Sequence, residues 1–302
     1  EAAIAALGAH IRAAYGAPDD ASARAAAEEE IGFAASLCEG QAPGSMASYD
    51  AVILFYRYWH SYDPDLFEPV RSALERAILA DPAYAEAHAC LSLTYTNAVR
   101  FGIVMPGLDA RQRALTLARR ALELAPHSSG AYHALSNALW FGGDMQAGLA
   151  AIETGWCLNP NDTDIMAELG MRYAARMMWD KGIPLLEGSY ARNPGQPGIY
   201  RAPLALYHFA HRRFQEALAE ARRIGAPRNL YVSLLVAISA AELGLRQEAE
   251  AAVRDMLAVN PDYGSHAATD LERRNIHPDL AVLVLDGLRK AGLPLLDDPL
   301  AA

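Results

Sequence analysis

The stretch NPNDTDIMAELG, residues 159–170, ends one helix-like run with an X-Pro pair and restarts at once with a capping residue and an apolar pattern. Proline cannot continue a helix and biases the residue before it away from α geometry, so Asn159-Pro160 reads as a stop. Asp162 or Thr163 then reads as the N-cap of the next helix, an oxygen-bearing side chain placed where unbonded backbone N–H groups need acceptors. The same junction recurs at Pro82, Pro126, Pro160, Pro194, Pro227 and Pro261, at intervals of 44, 34, 34, 33 and 34 residues. A period held near 34 is the mark of a repeat, one supersecondary unit stacked on the next.

The two central units, 129–162 and 163–196, show what is repeated. Tyr132, Leu135, Ser136 and Leu139 in one, and Met166, Leu169, Gly170 and Tyr173 in the other, follow steps of three and four and share one helix face. A turn follows at 142–145 or 176–180, and a second stripe passes Gly148, Ile152 and Gly155, or Gly182, Leu186 and Ser189. The eighth position of successive units carries Ser92, Ser136, Gly170, Leu204 and Ala237, and the twentieth carries Ala114, Gly148, Gly182, Ala217 and Ala249. Glycine inside a helix costs about 1 kcal/mol relative to alanine. Close approach of two antiparallel helices compensates, because a bulky side chain would hold the axes apart.

Length, small positions and terminal proline agree in register over 85–262, with a weaker unit at 51–84, and this pattern closely resembles the tetratricopeptide repeat (TPR) family. The resemblance implies an all-α fold: a right-handed TPR superhelix of about six helix-turn-helix hairpins, with capping helices. Residues 1–45 would be N-terminal helices, the end of an upstream domain followed by a cap at 22–38. The array would run over 46–262, and capping helices over 263–302. Two departures stand out. Pro203, at the seventh position of its unit, should shorten or distort a first helix, and AVRFGIVMPGLDA (98–110) lengthens one inter-helix turn. The segments SYDAVILFYRYW (48–59), IYRAPLALYHFAHRRFQEALAEARRI (199–224) and HPDLAVLVLDGLRKAGLP (277–294) are similar to the C-terminal halves of bacterial signalling proteins. In that group a TPR array follows a winged-helix DNA-binding or adenylate cyclase domain. Residues 1–16 are similar to the closing helix of an intervening domain there.

Composition narrows the function. With 26 basic and 36 acidic residues the net charge is −10, the reverse of a nucleic-acid footprint, so no direct nucleic-acid binding is expected. No apolar run approaches the ~18 residues of a membrane span. Cys38, Cys90 and Cys157 lie far apart without CxxC spacing and read as reduced thiols of a cytoplasmic protein. The chain opens at Glu1 inside an Ala-rich helical pattern, with no signal peptide, and reads as a piece of something longer. There is no GxSxG, Gly-rich phosphate loop, HExxH or EF-hand loop, so neither catalysis nor a cofactor is expected. His208 and His211 with Glu216 are the nearest approach to a metal set, and a polar groove lining explains them better.

Binding is expected in the concave groove that stacked first helices form. Inward positions on a TPR frame carry Trp59, Asn97, His133, Asn137, Trp140, Phe141, Met171, Arg201, His208 and Phe209, with Tyr231 and Leu234 further on. Aromatic residues at positions that are ordinarily solvated call for a cover. The turn at 98–110 is the nearest candidate lid. Arg201 and His208, seven apart, would share one side of a straight helix. The expected occupant is a protein or peptide segment, or a small effector joining an aromatic or aliphatic body to an acidic group. The chain's own upstream signalling domain and a second copy of the chain are the other expected partners.

Overall fold

The structure, a computed structural model, describes residues 46–225 and 229–295. The cap expected at 22–38, the helix expected at 1–16 and Pro227 lie outside the described residues. Within them are fourteen α-helices, one short 3-10 turn and no strand. Six hairpins run in order: α1 (Met46–Ser61) with α2 (Pro64–Ala80), α3 (Ala85–Phe101) with α4 (Ala110–Leu124), and α5 (Ser129–Gly142) with α6 (Met145–Leu158). Then come α7 (Thr163–Ala175) with α8 (Trp179–Arg192), α9 (Ala202–Ala210) with α10 (Phe214–Arg222), and α11 (Leu230–Glu242) with α12 (Arg246–Val259). Two more helices, α13 (Tyr263–Arg273) and α14 (Pro278–Lys290), follow.

The junction that opened the sequence is a β-turn with proline at its second position. Asp162 N donates to Asn159 O at 3.2 Å, and the Asp162 carboxylate accepts from Ile165 N at 3.0 Å as the N-cap of α7. The equivalent turns close from Tyr84 N to Asp81 O, Ser128 N to Ala125 O and Tyr263 N to Asn260 O. Between the two helices of a hairpin a second device repeats. A residue with positive φ stands past the first helix: Gly143 at 103°, Met177 at 59°, Arg212 at 59°, Gly244 at 71° and Asn275 at 57°. The next N–H reaches back to close the helix end, as Met178 N does to Tyr173 O and Ile276 N to Leu271 O. Because Asn275 carries that turn, α13 and α14 are joined as the repeats are.

The small positions act as their spacing implies. A Cβ on Gly182 would lie 2.8 Å from Gly170 O and 2.9 Å from Ala174 N, so α7 and α8 meet backbone to backbone. Gly148 stands likewise 2.9 Å from Trp140 N across the α5–α6 seam. Pro203 has the effect expected of it: Gly198–Arg201 is a 3-10 turn and α9 has only nine residues. The turn read as 98–110 is shorter than expected. α3 continues to Phe101 and ends on Gly102 in the left-handed region, which leaves the loop to 102–109.

Candidate functional site

The superhelix is wound tightly enough for distant hairpins to touch across its concave side. Trp59 Nε1 of the first hairpin donates to the Tyr200 hydroxyl of the fifth at 3.3 Å, and its ring meets the His133 ring edge-on at 5.5 Å. The remaining opening is filled by the turn between α13 and α14. Trp140 Nε1 donates to Arg274 O at 3.3 Å, and Asn275 Nδ2 donates to Trp140 O at 2.7 Å. Arg176 Nη1 reaches Asn275 O at 3.1 Å, His277 N reaches Ala175 O at 2.8 Å, and Arg274 Nη2 reaches Arg100 O at 2.7 Å. A segment from the chain's own end thus lies across α3, α5 and α7 as a bound peptide would.

This turn performs the covering expected of 98–110. Val104, at the tip of that loop, is 85% exposed, whereas Trp140 is 1% exposed beneath the C-terminal turn. The loop carries glycine, proline and acid, and its Met105 and Leu108 pack on the core of the first hairpins instead of over Trp140. The C-terminal turn is held by backbone carbonyls of α3, α5 and α7, which accept from the Arg274 and Asn275 side chains and from His277 N.

Behind the turn is a cavity of about 120 Å³. Trp140, Phe141 and Met171 line it, together with Arg100, Arg172 and Arg274. A second, wider space of about 700 Å³ shares Phe101, Ile199 and Tyr231 with it and opens between the first and sixth hairpins. Of the other expected groove residues, Trp59, Asn97, His133 and Asn137 are buried around the cavity rather than solvated. Asn137 Oδ1 accepts from Arg172 Nη2 at 2.9 Å, and its Nδ2 donates to His133 O at 3.1 Å. Burial pushes the His133 imidazole down to about 4, so it is neutral.

Arg201, His208 and Phe209 stand elsewhere. Arg201 belongs to the 3-10 turn, not to a straight helix with His208, and it pairs with Glu220 at 2.8 Å while lying 4.1 Å over the Tyr190 ring. Both partners lie away from the cavity, on α10 and α8. His208 is half-buried beside Tyr207, ring centroids 5.5 Å apart. Phe209 is core: it packs on Phe214 and against the Gly287 backbone of α14. Convergence of these three with Trp140 does not occur, because Pro203 breaks the helix that would have aligned them.

The charges at the centre are ones the repeat frame passes over. Glu168 is fully buried, with Arg172 Nη2 at 3.0 Å from its Oε2. Burial pushes the Glu168 carboxyl up, but Arg172, then His133 and Arg100, outweigh it and hold the group below its ordinary value. Asp270 is held low in the same way: burial opposes, and Arg274 with the Tyr231 hydroxyl prevails. Arg172 lies 4.9 Å over the Trp140 ring, and Arg274 lies 3.4 Å over that of Tyr231. Glu168 and Arg172, four apart inside an otherwise apolar helix, were a visible signal. Arg100 and Arg274 gave none, since each reaches the centre through contacts that span the chain.

The fold is that of a TPR solenoid, and the site is a concave groove closed by its own C-terminal hairpin. The human IFIT1 dimer with m7Gppp-AAAA is similar in structure, with a TM-score of 0.56 and 16% identity over 76% of this chain and 56% of that one. TTC0263, a thermophilic TPR protein of Thermus thermophilus, gives a TM-score of 0.49 at 21% identity, over 65% of this chain and 98% of that one. At 16% identity the likeness to IFIT1 is one of fold. A model of a family of unknown function, DUF6505, matches residues 1–50. None of the curated proteins is similar in sequence. No described helix is long and apolar enough to cross a membrane. Among the described residues no group of three or more His, Cys, Asp and Glu could hold a metal ion.

Proposed function

We propose that the chain is a non-catalytic regulatory module whose concave groove takes a protein segment or a small effector and biases the activity of an upstream signalling domain, a cyclase or a transcription regulator. One observation carries the reading. The groove is not filled to its centre: a cavity remains between its wall and the C-terminal turn, with Trp140 and Met171 on one side and Arg274 on the other. An occupant there touches both the array and the hairpin that closes it. It therefore has differential contact with the docked and undocked arrangements, which any ligand-driven shift requires.

A structural scaffold without a ligand-dependent state is the second reading. It draws on the turn at 274–277, whose hydrogen bonds already occupy the groove. The two readings separate in the full-length protein. Trp140→Ala and Met171→Ala, each confirmed folded by circular dichroism, should change how the upstream activity responds to its stimulus. If both variants respond as the wild type does to every stimulus, the scaffold reading replaces the regulatory one.

A further inference from the structure

Arg100 is a buried charge that feels Glu168 only at a distance and has no carboxylate in contact with it. It is 6% exposed, and its Nε has no hydrogen-bond acceptor. No carboxylate among the described residues lies within ion-pair distance of it. Its guanidinium stands 5.4 to 5.7 Å from the rings of Phe101, Tyr62 and Phe141 and faces the cavity. The other two arginines of the lining have carboxylate partners: Arg172 has Glu168 at 3.0 Å, and Arg274 shares Asp270, 3.2 Å away, with Arg273. No acidic side chain lines the cavity itself. The arginines of the lining therefore outnumber the carboxylates that face them.

Arginine cannot shed that charge by losing a proton, as a buried lysine can. Ring faces offset part of the desolvation cost, but they accept no hydrogen bond in the guanidinium plane. Leu234, Leu235, Ile276 and Val284 complete an apolar lining. A volume of about 120 Å³ is close to the ~150 Å³ of an apolar cavity that admits benzene.

We infer that this cavity binds a compact monocarboxylate, a single carboxylate on a body no larger than one six-membered ring, with the carboxylate on Arg100. The planar fork of the guanidinium matches a carboxylate in a bidentate arrangement, and the apolar walls hold the body. This deepens the effector reading of the groove and rests on it for any regulatory consequence. The binding itself is tested without reference to the upstream domain.

The test is calorimetric titration of the 302-residue chain with sodium benzoate, benzamide and sodium sulfate at matched ionic strength. Benzoate should bind one to one and saturate, while the neutral isostere and the body-less anion bind at least about tenfold more weakly. Arg100→Met should weaken benzoate at least about tenfold and leave the melting temperature unlowered, because the variant removes an unmatched buried charge. Should that variant fail to fold, Ala175→Leu fills the cavity from α7 and should abolish benzoate binding with helicity intact. The assignment is overturned by benzoate binding weaker than about 10 mM, by benzamide binding equally well, or by undiminished binding in either variant. Arg100-dependent benzoate binding establishes the site whatever the parent activity does. Its absence removes the site and leaves the groove to the response experiment above.

Discussion

Within a hairpin the helices meet on glycine and backbone; across the superhelix the hairpins meet on rings and charges. The α7–α8 seam brings Gly170 and Gly182, twelve residues apart in sequence, to a separation that a single Cβ would violate. The concave interior brings Trp140 to Arg274 and Arg274 to Arg100, which are 134 and 174 residues apart. Seams of the first kind hold only small polar side chains, as where Ser92 Oγ donates to Ala114 O at 2.8 Å. The interior leaves Arg100 Nε, Glu168 Oε1 and His133 Nε2 without hydrogen-bond partners. Unmatched polar groups are costly to bury and seldom persist without a use. The close backbone contacts therefore lie in the seams, and the buried charges in the interior.

Gly182→Leu attacks the seam and should have the largest effect, lowering unfolding free energy by about 3 kcal/mol. The better helix propensity of leucine, worth about 1 kcal/mol, opposes but does not cancel the overpacking. Urea denaturation measures it. An unchanged midpoint would mean that the two helices are not held at the distance their backbones show.

His133 tests the interior through pH. Desolvation lowers its imidazole from the ordinary 6.5 to about 4, so in this interval the unfolded chain takes up a proton that the folded chain does not. The stabilisation is complete above pH 6.5 and is lost as the pH falls toward 4. At pH 5 the loss attributable to this group is about 2 kcal/mol. His133→Gln is neutral throughout and should make the stability profile shallower between about pH 6.5 and 5, where the depressed carboxyls of Glu168 and Asp270 remain ionised and His88 and His208, also lowered by burial, supply the slope that is left. Gly182→Leu should run parallel to the wild type over the same range. Parallel profiles for both variants would place His133 in contact with water and dissolve the contrast between the regions.

The same contrast decides what could be read before folding. Seam positions repeat every 34 residues, and their partners sit in the same unit, so period and residue size were enough to find Gly148, Gly170 and Gly182. The central residues Trp140, Phe141 and Met171 were within reach because a repeat frame marks which positions point inward. Nothing local marks Arg100, which enters the groove only because α3 runs on to Phe101, past the turn expected at 98. Arg201 and His208 failed for the converse reason. A straight-helix spacing does not hold across Pro203, where the chain forms a 3-10 turn and then a nine-residue helix. The closing hairpin was foreseen as a cap. Its insertion into the groove depends on backbone groups of α3, α5 and α7, which no side-chain pattern announces.

The smallest predicted effect is the one that separates turn from plug. Asn275 has two tasks: its backbone takes the left-handed conformation at φ 57° that the inter-helix turn requires, and its Nδ2 donates to Trp140 O. Asn275→Gly keeps the first and loses the second, for about 1 kcal/mol. Asn275→Ala loses both, adding the roughly 1 kcal/mol that an alanine Cβ costs in that region. The repeat turns at Met177 and Arg212 tolerate non-glycine residues in the same conformation, so the difference between the two variants is the cost of the turn alone. Stability in a solenoid is a sum of neighbouring terms, and the loss should stay where it is made. Amide hydrogen exchange should quicken in α13 and α14 of both variants while α5 to α8 keep wild-type protection. Uniform quickening along the array would instead make the C-terminal hairpin part of one cooperative unit, leaving no separable element for an occupant of the groove to bias.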